Sequence, residues 1–127
     1  MGNCLPGHKV LHVAASHWSF VMLCSGLKVV EGCPCRGQFG RVRPGTIIVY
    51  ENKSEGILRK KVHTVTWYPS CIEMLRNEGI LRVYPDMPDI PSGCKIFEDQ
   101  YPGLMKRGVL AFGICEGRDN DIIEAWA

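Results

Sequence analysis

Between Gly26 and Cys33 the chain reads Gly-Leu-Lys-Val-Val-Glu-Gly-Cys, a stretch that forces a change of backbone direction and of secondary structure within a few residues. Glycine suits a chain that leaves a helix in a left-handed turn, and Val29 and Val30 prefer an extended backbone, so Lys28 is expected where a helix becomes a strand. Side chains alternate across a sheet, so positions 28 and 31 of a regular strand face opposite ways. Lys28 and Glu31 can then meet on one ligand only if the turn, or a bulge, rotates one of them.

The flanking chain reads in the same terms. Residues 9–14 are β-branched and apolar and predict a short strand, after which Ser16 caps a helix running to Ser25. That helix carries Trp18, Val21 and Met22 on one face and Phe20, Leu23 and Cys24 on another, which predicts that it is mostly buried. The Gly and Pro content of residues 32–40 predicts a loop, with Arg36, Arg41 and Arg43 in and beside it. Residues 46–50 and 58–67 read as a hairpin joined by residues 51–56, which sends Arg59 and Lys61 to one face and Lys60 to the other.

Ser70 and Glu73 form a capping box for a helix that Gly79 ends after Glu78. A helical turn over residues 80–84 and a rigid segment set by Pro85, Pro88 and Pro91 come next. A short helix starts from Ser92 or Gly93 toward Tyr101, and residues 108–115 read as a buried closing strand. Residues 1–8 read as a flexible leader, and the acidic residues 116–127 as a C-terminal extension, either a docking helix or a loose tail.

At 127 residues the chain has room for one core, and 46% apolar with 22% charged residues is ordinary globular usage. No apolar run approaches the roughly 18 residues of a membrane span. A net charge of +2 permits nucleic-acid binding without demanding it. The seven cysteines are odd in number and scattered, with no signal peptide ahead of them, which points to a reducing, intracellular setting, cytoplasmic or nuclear. Cys33-Pro34-Cys35 is too tight for a zinc knuckle and has no second pair nearby; with His8, His12 and His17 read as surface residues, neither metal nor cofactor is expected. Pro6 stands where a myristoylation signal needs Ser or Thr, so no membrane anchor is expected at the Met1-Gly2-Asn3-Cys4 start.

The spacing Gly-x-Lys-x-x-Glu, read as Gly26, Lys28 and Glu31, resembles the signature of the ASCH domain, a PUA-like β-barrel family named after the activating signal cointegrator. Blocks similar to the family's follow in the family's order: Arg43-Pro44-Gly45 before an apolar strand, Tyr68 before Ile72-Glu73-Met74-Leu75, Asn77-Glu78-Gly79 closing that helix, and Gly108-Val109-Leu110-Ala111. The resemblance spans residues 16–115. It implies a single α+β domain over residues 1–127, a PUA-like β-barrel with flanking short α-helices, and a ligand cleft between barrel and helices that holds Lys28 and Glu31. The family usually has Arg where this chain has Cys33 and Asp where it has Thr46, which places a bidentate anion contact at position 33 in question.

Three functional readings follow. In the first, the chain recognises single-stranded RNA or a nucleoside or nucleotide through Gly26, Lys28, Glu31, Arg41, Arg43, Trp67 and Tyr68, with cations on phosphate, a ring stacked on a base and Glu31 accepting from a base edge or ribose. In the second, it is an amidohydrolase or a ribonuclease. One ASCH subgroup that resembles this chain deacetylates N4-acetylcytidine with a lysine matching Lys28, a threonine at the place of Glu31 and a glutamate near Glu78. Glu31 offers no hydroxyl, so water activation by Glu31 with Lys28 stabilising the oxyanion takes the threonine's place. In the third, Lys28 and Glu31 are an ion pair that fixes the helix-to-strand junction of a structural or protein-interaction domain.

Overall fold

The computed structural model describes residues 10–115 and 123–124, and its sheet is organised around strand β5, Val109–Cys115. Leu110, Phe112 and Ile114 enter one hydrophobic core, while Val109 and Ala111 enter a second on the opposite face. Apolar side chains on both faces explain why this segment reads as an unbroken apolar run.

The strand order is β1-β3-β4-β5-β2, formed by Val10–Ala14, Ile47–Asn52, Gly56–Tyr68, Val109–Cys115 and Val30–Pro34 in that spatial sequence. β1 lies parallel to β3, and the other neighbours along this path are antiparallel. The long β4 pairs β3 through its first half and β5 through its second, with a register shift between Val62 and Thr64. Such an irregularity bends and twists a strand, and here it lets one sheet curl into a half-barrel. The α+β class implied by the sequence therefore holds, as a curled half-barrel with flanking short helices, with β1 and β2 as the edges of that path.

Helix α1, His17–Cys24, packs Phe20 and Leu23 into the half-barrel's interior beside Ile48, Tyr50 and Val62. The second core lies under α2 (Cys71–Glu78), α3 (Ile80–Val83) and α4 (Ile90–Gln100), with Met74, Leu75, Val83 and Phe97 fully covered. The caps fall as predicted at two sites, where the Ser16 and Ser70 hydroxyls accept from the amides of Ser19 and Glu73. Lys60 points inward between Leu58 and Val62, and Lys61 points out, as the strand alternation requires.

Four expectations are corrected. Helix α1 is not buried on several sides, because Trp18 is 62% exposed. Residues 32–34 belong to β2 rather than to a loop: Pro34 ends an edge strand, and Gly32 leaves room for Met74 and Phe97 packed over it. α4 begins at Ile90, two to three residues early, because the Asp89 carboxylate accepts from the Ser92 amide and Pro91 sits in the first turn, where its missing N–H costs nothing. Within the C-terminal extension, Ile123–Glu124 form a short strand, β6, paired with Ile57 and Leu58 of β4, instead of a docking helix or a loose tail. The rest of the extension and the leader lie outside the described residues. Among the described residues no helix is long and apolar enough to cross a membrane.

Candidate functional site

The turn out of α1 decides where Lys28 goes. Gly26 adopts a left-handed φ of 79°, and the amides of Leu27 and Lys28 both donate to Met22 O at 3.0 and 3.1 Å, wrapping the chain around the helix end. Val29 N then donates to Arg82 O, and β2 starts only at Val30. Lys28 thus lies outside the strand, and strand alternation does not govern it. Its Nζ donates to Val83 O at 2.7 Å, stands 5.0 Å from the Tyr84 ring centroid and lies 3.7 Å from Glu31 Oε1.

Glu31, opposite Phe112 on β5, faces the interior of the half-barrel, where Tyr50 of β3 donates its hydroxyl to Oε1 at 3.0 Å. Lys28 and Glu31 are 4% and 5% exposed, so the pair is withdrawn from bulk water and its geometry is fixed by three elements. Burial, then the Glu31 charge, pushes the Tyr50 phenol well above its ordinary range, and the same two causes raise Tyr84. Both phenols therefore remain O–H donors at neutral pH.

Above this floor opens a cleft of about 570 Å³ between the β1–α1 connection, α1 and the α3–α4 region. Trp18 and Met22 line it from α1, Tyr84 and Asp86 from the segment after α3, and Ile96 and Asp99 from α4. Three carboxylates, Glu31, Asp86 and Asp99, stand against a single ammonium, Lys28, among the described residues of this lining. Lys95 offsets part of that negative charge from 3.5 Å beyond Asp99.

The other predicted site residues go elsewhere. Arg41 ends a 3-10 turn over Gly37–Arg41 and Arg43 precedes β3, both exposed and neither lining the cleft. Trp67, at the far end of β4, is 54% exposed and gives its indole N–H to Arg107 O at 2.9 Å. Tyr68 donates to Glu78 Oε2 at 2.5 Å, and Glu78 also lies 3.9 Å from Arg82. Burial, followed by the Glu78 carboxylate as acceptor and as charge, pushes the Tyr68 phenol up to about 12. Glu78 thus has a structural occupation, and the expected gathering of arginines, Trp67 and Tyr68 around Lys28 does not occur.

Tyr50, Tyr84, Asp86 and Asp99 take part instead, none of them named from the sequence. Tyr50 left a faint signal, since a tyrosine on the inward face of a strand needs a polar partner for its hydroxyl. The others depend on how α3 and α4 fold back over β2, which local pattern does not encode. Among the described residues no cluster of three or more His, Cys, Asp or Glu is arranged to hold a metal ion. Cys24, Cys33, Cys35, Cys71 and Cys94 are not joined in disulfides.

No protein-family model matches the chain, and no curated protein matches it. Solved structures do. The crystal structure of hypothetical protein PH0355 superposes with a TM-score of 0.75 at 28% identity, covering 89% of this chain and 99% of that one. A Pyrococcus furiosus protein solved by NMR superposes at 0.65 with 24% identity over 83% of this chain and 94% of its own. The crystal structure of ASCH from Zymomonas mobilis superposes at 0.61 with 11% identity, over 87% of this chain and 69% of its own.

Proposed function

This chain has the fold of the ASCH domain, and from that premise we propose that its cleft binds a nucleoside or a single unstacked base, with the ring as the recognised part and no phosphate contact inside the cleft. The observation that carries the reading is a buried Lys28–Glu31–Tyr50 floor under a lining rich in carboxylates. A lysine ammonium has three protons. Val83 O and Glu31 take two directions in space, and the third serves a carbonyl oxygen on the ligand. Glu31 Oε1 is engaged by Tyr50 and Lys28, and Oε2 accepts from an amino or imino group on the same ring edge. Trp18 and Tyr84 supply apolar faces for stacking, worth about 1–3 kcal/mol per base.

Charge selects within the nucleic-acid class. Asp86 and Asp99 repel a phosphate chain but not a neutral ring, so affinity depends weakly on salt. The volume suits a ligand of nucleoside size, since small-molecule sites span about 300–1,000 Å³.

Calorimetry of the full chain with cytidine, N4-acetylcytidine, uridine and their monophosphates, at low and high salt, tests this reading. A nucleoside that binds with little salt dependence is the expected result, weakened about tenfold or more by Trp18→Ala, whose exposed side chain carries little of the fold. Glu31→Gln lowers affinity as well. If no nucleoside binds, or if Glu31→Gln lowers only the melting temperature, the pair is a junction strut and the reading fails. Chromatography of the same samples separates recognition from hydrolysis: release of acetate from N4-acetylcytidine, lost in Glu31→Gln, makes the cleft an active site.

A further inference from the structure

We propose that Trp67, with the groove lined by Arg36, Lys106 and Arg107, forms a second site that holds a single-stranded nucleic-acid segment. One base stacks on the indole, and an adjoining phosphate lies in the groove. Neither Trp67 nor these cations line the cleft, so the proposal does not rest on the nucleoside reading.

An exposed tryptophan by itself means little, because folded surfaces carry many single apolar side chains. Trp67 differs in how it is held. Its N–H is satisfied internally by Arg107 O at 2.9 Å, so the ring's one polar atom does not tie it to solvent. The same edge lies close against bare backbone: a Cβ built on Gly108 would come 2.4 Å from Trp67 Nε1 and 2.7 Å from Cε2. Gly108 itself has a φ of 91°, a conformation open to glycine, and its carbonyl accepts from Cys35 N at 3.0 Å. The indole is thereby held along its pyrrole edge, leaving 54% of the residue open to solvent. A ring already fixed loses little conformational entropy when a base stacks on it.

The neighbouring groove supplies the charge. It has a volume of about 290 Å³ and is lined by Arg36, Lys106 and Arg107 together with Cys35, Leu104 and two glycines, with no carboxylate among the described residues of the lining. Arg107 joins the two parts, since its carbonyl fixes the indole and the residue also lines the groove. Cations along a flexible backbone and a fixed ring are the combination that single-strand binding uses, and neither part reads sequence. The sign of the lining is opposite to that of the cleft, where carboxylates outnumber lysine.

The test is fluorescence anisotropy of a 5′-fluorescein decauridylate against the full chain, over a salt series. Wild type binds, and binding weakens as salt rises. Trp67→Ala weakens it about tenfold or more, whereas Trp67→Phe, which keeps a stacking ring, retains most of the affinity. Lys106→Ala and Arg36→Ala, both exposed and neither a member of either core, weaken binding and flatten the salt dependence by about 0.7 in the log–log slope for each phosphate left without its cation. The proposal is overturned if wild type does not bind the oligonucleotide. It is also overturned if folded Trp67→Ala binds as well as wild type, or if poly-glutamate of equal charge competes as strongly as unlabelled decauridylate, which would make the groove a general anion surface.

Discussion

Lys28 is a buried cation shared between elements that meet only in the folded chain. Its Nζ joins the end of α1 to Val83 O and to Glu31, both well shielded from water, so Lys28→Ala leaves a buried carboxylate and a buried carbonyl without their cation. Removing one partner of a buried pair costs about 3–5 kcal/mol, whereas replacing both by apolar groups is often neutral. Urea unfolding should therefore find Lys28→Ala destabilised by about that amount, and Lys28→Met combined with Glu31→Leu closer to wild type. If the single and double variants lose equal stability, the pair is not coupled. Thiol chemistry also sorts by environment. Burial, then contact with Cys94, pushes Cys71 up to about 12, and burial followed by the Glu31 charge raises Cys33. Cys24 is exposed. Peptide mapping after brief alkylation at neutral pH should find Cys24 modified well ahead of Cys33 and Cys71.

Among the elements, the entry into β5 is the least tolerant. Gly108 combines a left-handed φ of 91° with backbone crowding, since an added Cβ would lie 2.6 Å from Tyr68 O, an atom that cannot rotate away. Strain at a non-glycine residue in such a conformation costs about 1–3 kcal/mol before the clash is counted. Gly108→Ala is expected to exceed that loss and to free the Trp67 ring, read as a change in tryptophan emission alongside the unfolding curve. The start of α2 gives a milder contrast. Ser70 accepts from Glu73 N at 3.2 Å, so Ser70→Ala removes a single cap and lowers stability by about 1 kcal/mol, leaving the emission unchanged. Equal losses for the two variants would show that the β5 entry is more pliant than its geometry implies.

At the scale of the molecule, two cores share one curled sheet, and acidic hydroxyls and thiols are shut inside it. Tyr50, Tyr84 and Tyr101 are raised by burial first, with the Glu31 charge adding to all three and the Cys33 charge adding most for Tyr101 after burial; Cys33 is itself raised by burial and by Glu31. A group whose pKa is higher in the folded chain keeps its proton there while the unfolded chain releases it. Its contribution to stability is whole below the unfolded pKa and is lost as pH rises beyond it. Thiols begin to ionise in the unfolded chain near about 8.5 and phenols near about 10. The melting temperature should therefore be insensitive to these groups around neutrality, fall above about pH 8.5 and fall faster above about pH 10. A flat profile through that range would mean that these side chains are wet.

What local pattern determines here is considerable. Ser16 and Ser70 mark helix starts because a side-chain oxygen satisfies a free amide, Gly26 and Gly79 mark the ends because their left-handed turns suit glycine, and strand alternation sent Lys60 inward and Lys61 outward. The spacing of Gly26, Lys28 and Glu31 was enough to ask whether a cation and a carboxylate converge. Only the tertiary structure decided that they do, because Val83, Tyr84 and Tyr50 come from other elements folded against the junction. It decided equally that Arg41, Arg43, Trp67, Tyr68 and Glu78 stay away, and that Asp86 and Asp99 line the cleft in their place. Caps and alternation arise from atoms a few residues apart, whereas the company a buried charge keeps is set by which surfaces α3, α4 and the curled sheet bring together.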